Sequence, residues 1–396
     1  MASSEQMRLL FFTVMLSAIV AITPFSTDLY LPAMTNMAAD FDVHITLIQQ
    51  SLSLFLAGYG LGMFLFGPMM DKFGRRYFVI WGILGFILAS VLCGLTTDVE
   101  WFLTLRFLQA LSGAAATVAI PGYVKELYGK DTPKGMSYLN LIMMLAPLVA
   151  PSVGSLMMSV GQWNLIFFLL AAYGVLIFIL AVFWLRFPSD KQVHHRSQLS
   201  FLKNYQRVFS KKGVKLDILT SFFASFAFFC YITDSSFVFM QVFGLDKYTF
   251  SIIFASNVGV LILASFINGR LLDRYGSAKL LAVGTLLAIL TASSLVTVNV
   301  LGFSYYFTLA TLCPFMGCLW IMSVNADSIV LMKFKKEVGT ASAVIGTLKF
   351  GSGAFAGPLL ALFHSGTAVP FSSLLLSAVI LACISQWLNF FLKRRR

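Results

Sequence analysis

Two stretches decide the fold. Gly67-Pro68-Met69-Met70-Asp71-Lys72-Phe73-Gly74-Arg75-Arg76 closes one long apolar run, and Gly269-Arg270-Leu271-Leu272-Asp273-Arg274-Tyr275-Gly276-Ser277-Ala278-Lys279 closes another. Glycines 67 and 269, aspartates 71 and 273, and glycines 74 and 276 all stand at the same 202-residue offset. A chain that leaves a bilayer and re-enters within a few residues needs a tight turn. Gly74 and Gly276 permit positive φ there. Gly67 and Gly269 are expected to admit a neighbouring helix closely. Asp71 and Asp273 can meet helix N-termini or the basic residues that follow.

Outward from these turns, apolar runs long enough to span a bilayer as helix fall at about 9–33, 46–70, 77–97, 101–125, 136–160, 164–187, 216–243, 248–272, 279–299, 303–332, 339–363 and 369–392. The first is too long for a cleaved leader and reads as a span. The constant offset makes the two sets of six spans parallel repeats. The expected fold is an all-α membrane protein of twelve transmembrane helices in two pseudo-symmetric six-helix bundles. The first bundle covers 1–187, a cytoplasmic linker 188–215, and the second bundle 216–396.

Composition agrees. The 396 residues are 59% apolar and only 11% charged, where a soluble domain carries about 25% charge. The net charge of +12 would point to nucleic acid in a soluble protein. Here, apart from Arg106 and Lys349 inside spans and Lys247 on the opposite side, the basic residues all fall in the loops and tails of one face. That is a positive-inside signal. It places both termini in the cytoplasm and leaves no basic excess for a nucleic-acid partner. In the linker, Leu199, Leu202, Tyr205, Val208 and Phe209 recur at helical spacing, as an amphipathic helix on the anionic inner leaflet would. The five cysteines fall in spans and read as reduced thiols. All four histidines lie in loops or at span ends, so no metal site or nucleophile–base pair is expected, and neither is an enzyme.

A charge at membrane depth is costly and marks function. Five such residues stand out: Asp28, Arg106, Asp234, Asp327 and Lys349. Asp28 has Pro24 and Pro32 four residues to either side, so the helix can bend around it. Burial and a nearby guanidinium pull a carboxyl group in opposite senses. A carboxylate poised between them is a proton carrier, with Arg106 at comparable depth to tune it or to pair with it structurally. Asp234 lies one turn beyond the position that the repeat maps from Asp28 and is a second candidate. Asp327 and Lys349 are expected to pair, for structure or gating. Glu126 could lock Arg75 at the cytoplasmic gate formed by Gly67, Asp71, Gly74, Arg75, Arg76, Gly269, Asp273, Arg274 and Gly276. Most of the phenylalanines clustered at 222–229 face lipid or packing; a greasy substrate pocket would use one or two of them beside Tyr30 and Tyr231.

The turn pattern resembles the signature of the major facilitator superfamily. Asp28-Leu-Tyr30-Leu-Pro32-Ala-Met resembles the first-span motif of the Bcr/CflA drug:proton antiporters. Arg106-Phe-Leu-Gln109-Ala-Leu-Ser-Gly113 resembles their fourth-span motif, and Ala146-Pro147-Leu-Val-Ala150-Pro151-Ser-Val-Gly154 the fifth-span antiporter motif. Asn325-Ala326 and Gly339-Thr340-Ala341-Ser342 also fit. The turn of the second half, ending Ser277-Ala278-Lys279, is less basic, which suggests unequal gates. The resemblance implies an exporter of the bacterial inner membrane working by alternating access, with a first-span acid and a fourth-span arginine in coupling. It implies a kink at Pro147, Pro151 and Gly154 against the eighth span. Gln109, Asn325, Asp327 and Lys349 join Tyr30 and Tyr231 as cavity candidates. No cofactor is expected beyond the proton gradient. The expected partners are a small-molecule substrate, protons and lipid, the protein acting as a monomer. A proton symporter or facilitator importing a metabolite or siderophore, or a non-transporting receptor, would use similar parts.

Overall fold

A computed structural model gives the architecture and describes residues 4–185, 206, 208–211, 213–334 and 338–394. The side chains of 4–6, 68, 71–73, 133, 338–340 and 393–394 are outside that description. So are Leu199, Leu202 and Tyr205 of the expected amphipathic linker helix. The described chain is helical throughout. Its helices are α1 (Ser4–Asp28), α2 (Met34–Asp40), α3 (Ile45–Phe73), α4 (Arg75–Leu95), α5 (Val99–Thr117), α6 (Ile120–Tyr128), α7 (Thr132–Val160) and α8 (Asn164–Trp184), followed by α9 (Val214–Ser236), α10 (Lys247–Val300), α11 (Tyr305–Met332), α12 (Val338–Gly353), α13 (Ala356–Leu362) and α14 (Val369–Arg394).

Among the described residues, 11 helical stretches are long and apolar enough to cross a membrane. One of them, α10, has 54 residues and would reach about 80 Å at 1.5 Å per residue, far beyond a hydrocarbon core of about 30 Å. It is two spans joined at Gly276, whose φ of 72° and ψ of 157° break the helix. Gly74, with φ 93° and ψ 136°, does the same between α3 and α4. Both turns therefore use the left-handed freedom that only glycine has cheaply, and the spans among the described residues number twelve.

Proline sets where several spans stop. The first was expected to run to 33; α1 ends at Asp28 and a short 3-10 turn follows at Leu31–Ala33. Pro32 cannot donate to the Asp28 carbonyl, so the i→i−4 ladder cannot continue. Pro121 stands at the start of α6, which follows α5 after a two-residue break. Pro358 lies in α13, which follows α12 after a break of the same length.

The chain divides into two compact units, residues 1–41 with 54–198, and 42–53 with 199–396. In the first, α4 packs on α5 and α8, and α1 on α7. In the second, α9 is the central helix, packed on α11, α12 and α14. Two expectations about packing change here. Gly67 and Gly269 do not serve close approach: a Cβ at Gly67 would meet only Val118 at 4.0 Å, and one at Gly269 nothing within that distance. Gly58 and Gly62 do this instead, since a Cβ on either would lie 2.5 Å from atoms of α5. Val208 is not on a membrane-facing stripe. It is fully buried among Ile218, Val330, Phe334 and Val344 of the second unit.

Candidate functional site

In the first unit the site is built around Arg106. Asp98 caps α5 by accepting from the Trp101 amide at 2.9 Å, and the helix then carries Arg106 into full burial. Its guanidinium donates through Nη1 to Gln109 Oε1 at 2.5 Å and through Nη2 to the Ser26 carbonyl at 2.9 Å. That carbonyl belongs to the last turn of α1, where helical partners run out. Rings close the remaining sides: the guanidinium carbon lies 4.4 Å from the Tyr30 centroid, 4.5 Å from Phe55 and 5.6 Å from Phe167. Gln109 passes the chain on, donating to Ser90 Oγ at 2.7 Å, which donates to the Phe86 carbonyl at 2.7 Å.

The expected Asp28–Arg106 pair is not formed. The guanidinium is taken by Gln109 and the freed Ser26 carbonyl. Asp28 is only 2% exposed, and its Oδ1 has no hydrogen-bond partner. Gln109 and Tyr30, expected to line a substrate cavity, instead enclose Arg106 within the helix packing. Within the first unit Gly154 lies against the end of α1: a Cβ there would fall on the Leu29 carbonyl oxygen, beside Asp28. Pro147 and Pro151 lie inside α7 as expected, and Ala150 is fully buried.

In the second unit Asp234, 4% exposed, closes α9 just before a π-helical segment at Phe237–Val242. Gln49 donates to its Oδ1 at 2.6 Å. Tyr231, one turn earlier, stacks on Phe254 at 5.7 Å and 19°. Asp327 and Lys349 do pair, at 2.6 Å, and Ser221 donates to the other carboxylate oxygen at 2.5 Å. This pair is half-buried, with side-chain exposures of 21% and 29%. Asn325 is buried, donating to Asn268 Oδ1 at 2.5 Å, so it joins α10 to α11. Of the clustered phenylalanines, Phe226 and Phe229 are buried and none is exposed, because α9 is central rather than peripheral.

At the turns, Arg75 lies across Gly122 of α6, where a Cβ would come 2.6 Å from its Cζ. Arg76 donates to the Val182 carbonyl at 2.9 Å and ties α4 to the end of α8. Asp273 and Arg274 are exposed, with Arg274 over the Tyr275 ring at 5.3 Å; the Asp71 side chain is outside the described residues. Sequence reasoning missed Gln49, Asn268 and the cluster in which Asp217 pairs with Lys333 and accepts from Asn389 at 2.6 Å. Outside the spans, His44 and His364 meet edge-on at 4.7 Å. Burial first, and then His44, holds the His364 imidazole below its usual range.

The profile of the Major Facilitator Superfamily matches residues 16–358. A bicyclomycin resistance protein homolog of Haemophilus influenzae is 27% identical over 97% of both chains. The multidrug resistance protein MdtL of Vibrio parahaemolyticus is 26% identical over 85% of both. In fold, the chain is similar to the nucleoside transporter NupG, with a TM-score of 0.75 at 11% identity, over 96% of this chain and 98% of the other.

Proposed function

Since the chain belongs to the major facilitator superfamily, a family of multi-pass membrane transporters, we propose that it is a proton-coupled exporter of small amphipathic molecules. It would work by alternating access in the bacterial inner membrane, as a monomer with both termini cytoplasmic, and without a cofactor. The basic residues gathered on one face support that orientation. The drug-resistance names of its relatives support efflux, as does the resemblance of the first-, fourth- and fifth-span motifs to Bcr/CflA antiporters.

One observation carries the coupling. Among the described residues, Asp28 and Asp234 are buried carboxylates at membrane depth with no cation in ion-pair contact, whereas Asp327 has Lys349. A buried carboxyl group without a counter-ion changes its charge by exchanging a proton. In the outward state Asp28 would take a proton as substrate leaves; in the inward state substrate arrival would displace it. Moving one charge through the potential supplies about 2.3 kcal/mol per 100 mV. Arg106, held by Gln109 and Ser26, would fix the end of α1 and the setting of Asp28.

Proteoliposomes with a pH dye inside test this. A pulse of transported compound should move protons opposite to its own direction. Protons moving with the compound would identify a symporter instead, and no proton movement a facilitator.

A further inference from the structure

We propose that Asp327 and Lys349 form a binding site for small aromatic zwitterions, molecules carrying one amine and one carboxylate. This rests on the transport reading and gives its substrate a chemical class. Of the five intramembrane charges, Asp28, Arg106 and Asp234 are at most 4% exposed. Asp327 and Lys349, at 21% and 29%, are the ones a ligand can reach. Charges at this depth face a polar route rather than lipid.

Aromatic residues stand beside the pair along the helices that carry it. Phe222, next to Ser221, meets Phe355 at 6.4 Å. Phe350, next to Lys349, meets Phe229 at 5.8 Å. Trp320 lies two turns before Asp327 on the same face of α11, and its Nε1 has no hydrogen-bond partner. Ser221 holds Oδ1 of Asp327, while Oδ2 is bonded to Lys349.

The pair then acts as a filter. A ligand with a single charge would take one partner and strand the other in a poorly solvated place, which is costly. A neutral ligand gains nothing from opening the pair. A zwitterion replaces both bonds at once, its ammonium on Asp327 and its carboxylate on Lys349, with its ring among the phenylalanines.

The test is equilibrium binding to the purified, folded protein of three compounds of one skeleton: naphthylalanine, naphthylethylamine and naphthylpropionic acid. Naphthylalanine should bind at least tenfold tighter than either analogue. Lys349→Gln and Asp327→Asn should each remove that preference. Should either single variant fail to fold, the exchanged double variant Asp327→Lys with Lys349→Asp keeps the pair, and the preference should persist in it. Equal binding of the analogues, no binding of naphthylalanine, a preference unchanged in Lys349→Gln, or its loss in a folded exchanged variant would overturn the proposal. Because no gradient is involved, a zwitterion preference without proton-driven transport would sink the transport reading's coupling alone.

Discussion

Gln49 donates a 2.6 Å hydrogen bond from Nε2 to Oδ1 of Asp234, and both side chains are buried. The partner of this carboxylate is thus a neutral amide. An amide can meet either form of a carboxyl group by turning over, since it carries both a donor and an acceptor, so the contact tolerates gain and loss of a proton. Asp234→Asn keeps an acceptor for Gln49 and should fold normally, with thermal stability close to wild type, yet lose part of the pH dependence of transport. Gln49→Leu leaves a buried carboxylate without its donor and should cost about 1–3 kcal/mol, read as lower thermal stability of purified protein.

Arg106 is held by its shape as much as by its charge. Its fork meets Gln109 and the Ser26 carbonyl while its flat faces lie on Tyr30 and Phe55. Lysine cannot reproduce a planar two-point contact. Arg106→Lys should therefore lose roughly 1–3 kcal/mol, and Arg106→Ala more, because it also leaves a cavity. If Arg106→Lys is as stable as wild type, the cage contributes only charge.

The glycines separate into two kinds. Gly154→Ala places a methyl on the Leu29 carbonyl and should cost about 1–3 kcal/mol through forced displacement of α7 from α1. Gly269→Ala, in open helical surroundings, should be neutral or gain up to about 1 kcal/mol. Thermal unfolding of the two variants side by side decides this; the reverse order would mean that the family-like turn, and not the α1–α7 contact, carries the packing.

That contrast shows what could be read in the chain and what could not. Apolar length and the 202-residue repeat carry the span count, and the two turn glycines show their need for positive φ in the residues around them. The Asp327–Lys349 pair was legible because two charges stood in otherwise apolar runs. The partner of Asp234 was not, because Gln49 is an uncharged residue 185 positions away. The choice of Arg106 against Asp28 depended on where α1 stops. Pro32 held that signal, but a proline reads equally as a bend or as an end. Asn268 with Asn325, and Asp217 with Lys333 and Asn389, are pairings set by helix packing, which leaves no local pattern.

His364 brings a pH dependence at the loops. Burial and then His44 hold its imidazole below the ordinary value, near 6.5 in an unfolded chain. The unfolded chain therefore binds this proton first as pH falls. Stability linked to His364 is full above about pH 6.5 and declines as pH drops through that value. His44→Gln removes the like charge, so the variant should gain on wild type in thermal stability between about pH 7.5 and 5.5. A constant difference across that range would show that the two rings do not interact through charge.

The central claim is that Asp28 carries the transported proton. The most direct measurement compares wild type and Asp28→Asn in proteoliposomes, following uptake driven by an imposed pH gradient alongside substrate exchange at equal pH on both sides. Gradient-driven accumulation should disappear in Asp28→Asn while equal-pH exchange continues, because the substitution removes the proton and leaves the helices free to move. Accumulation that persists in Asp28→Asn at the wild-type level would contradict the account.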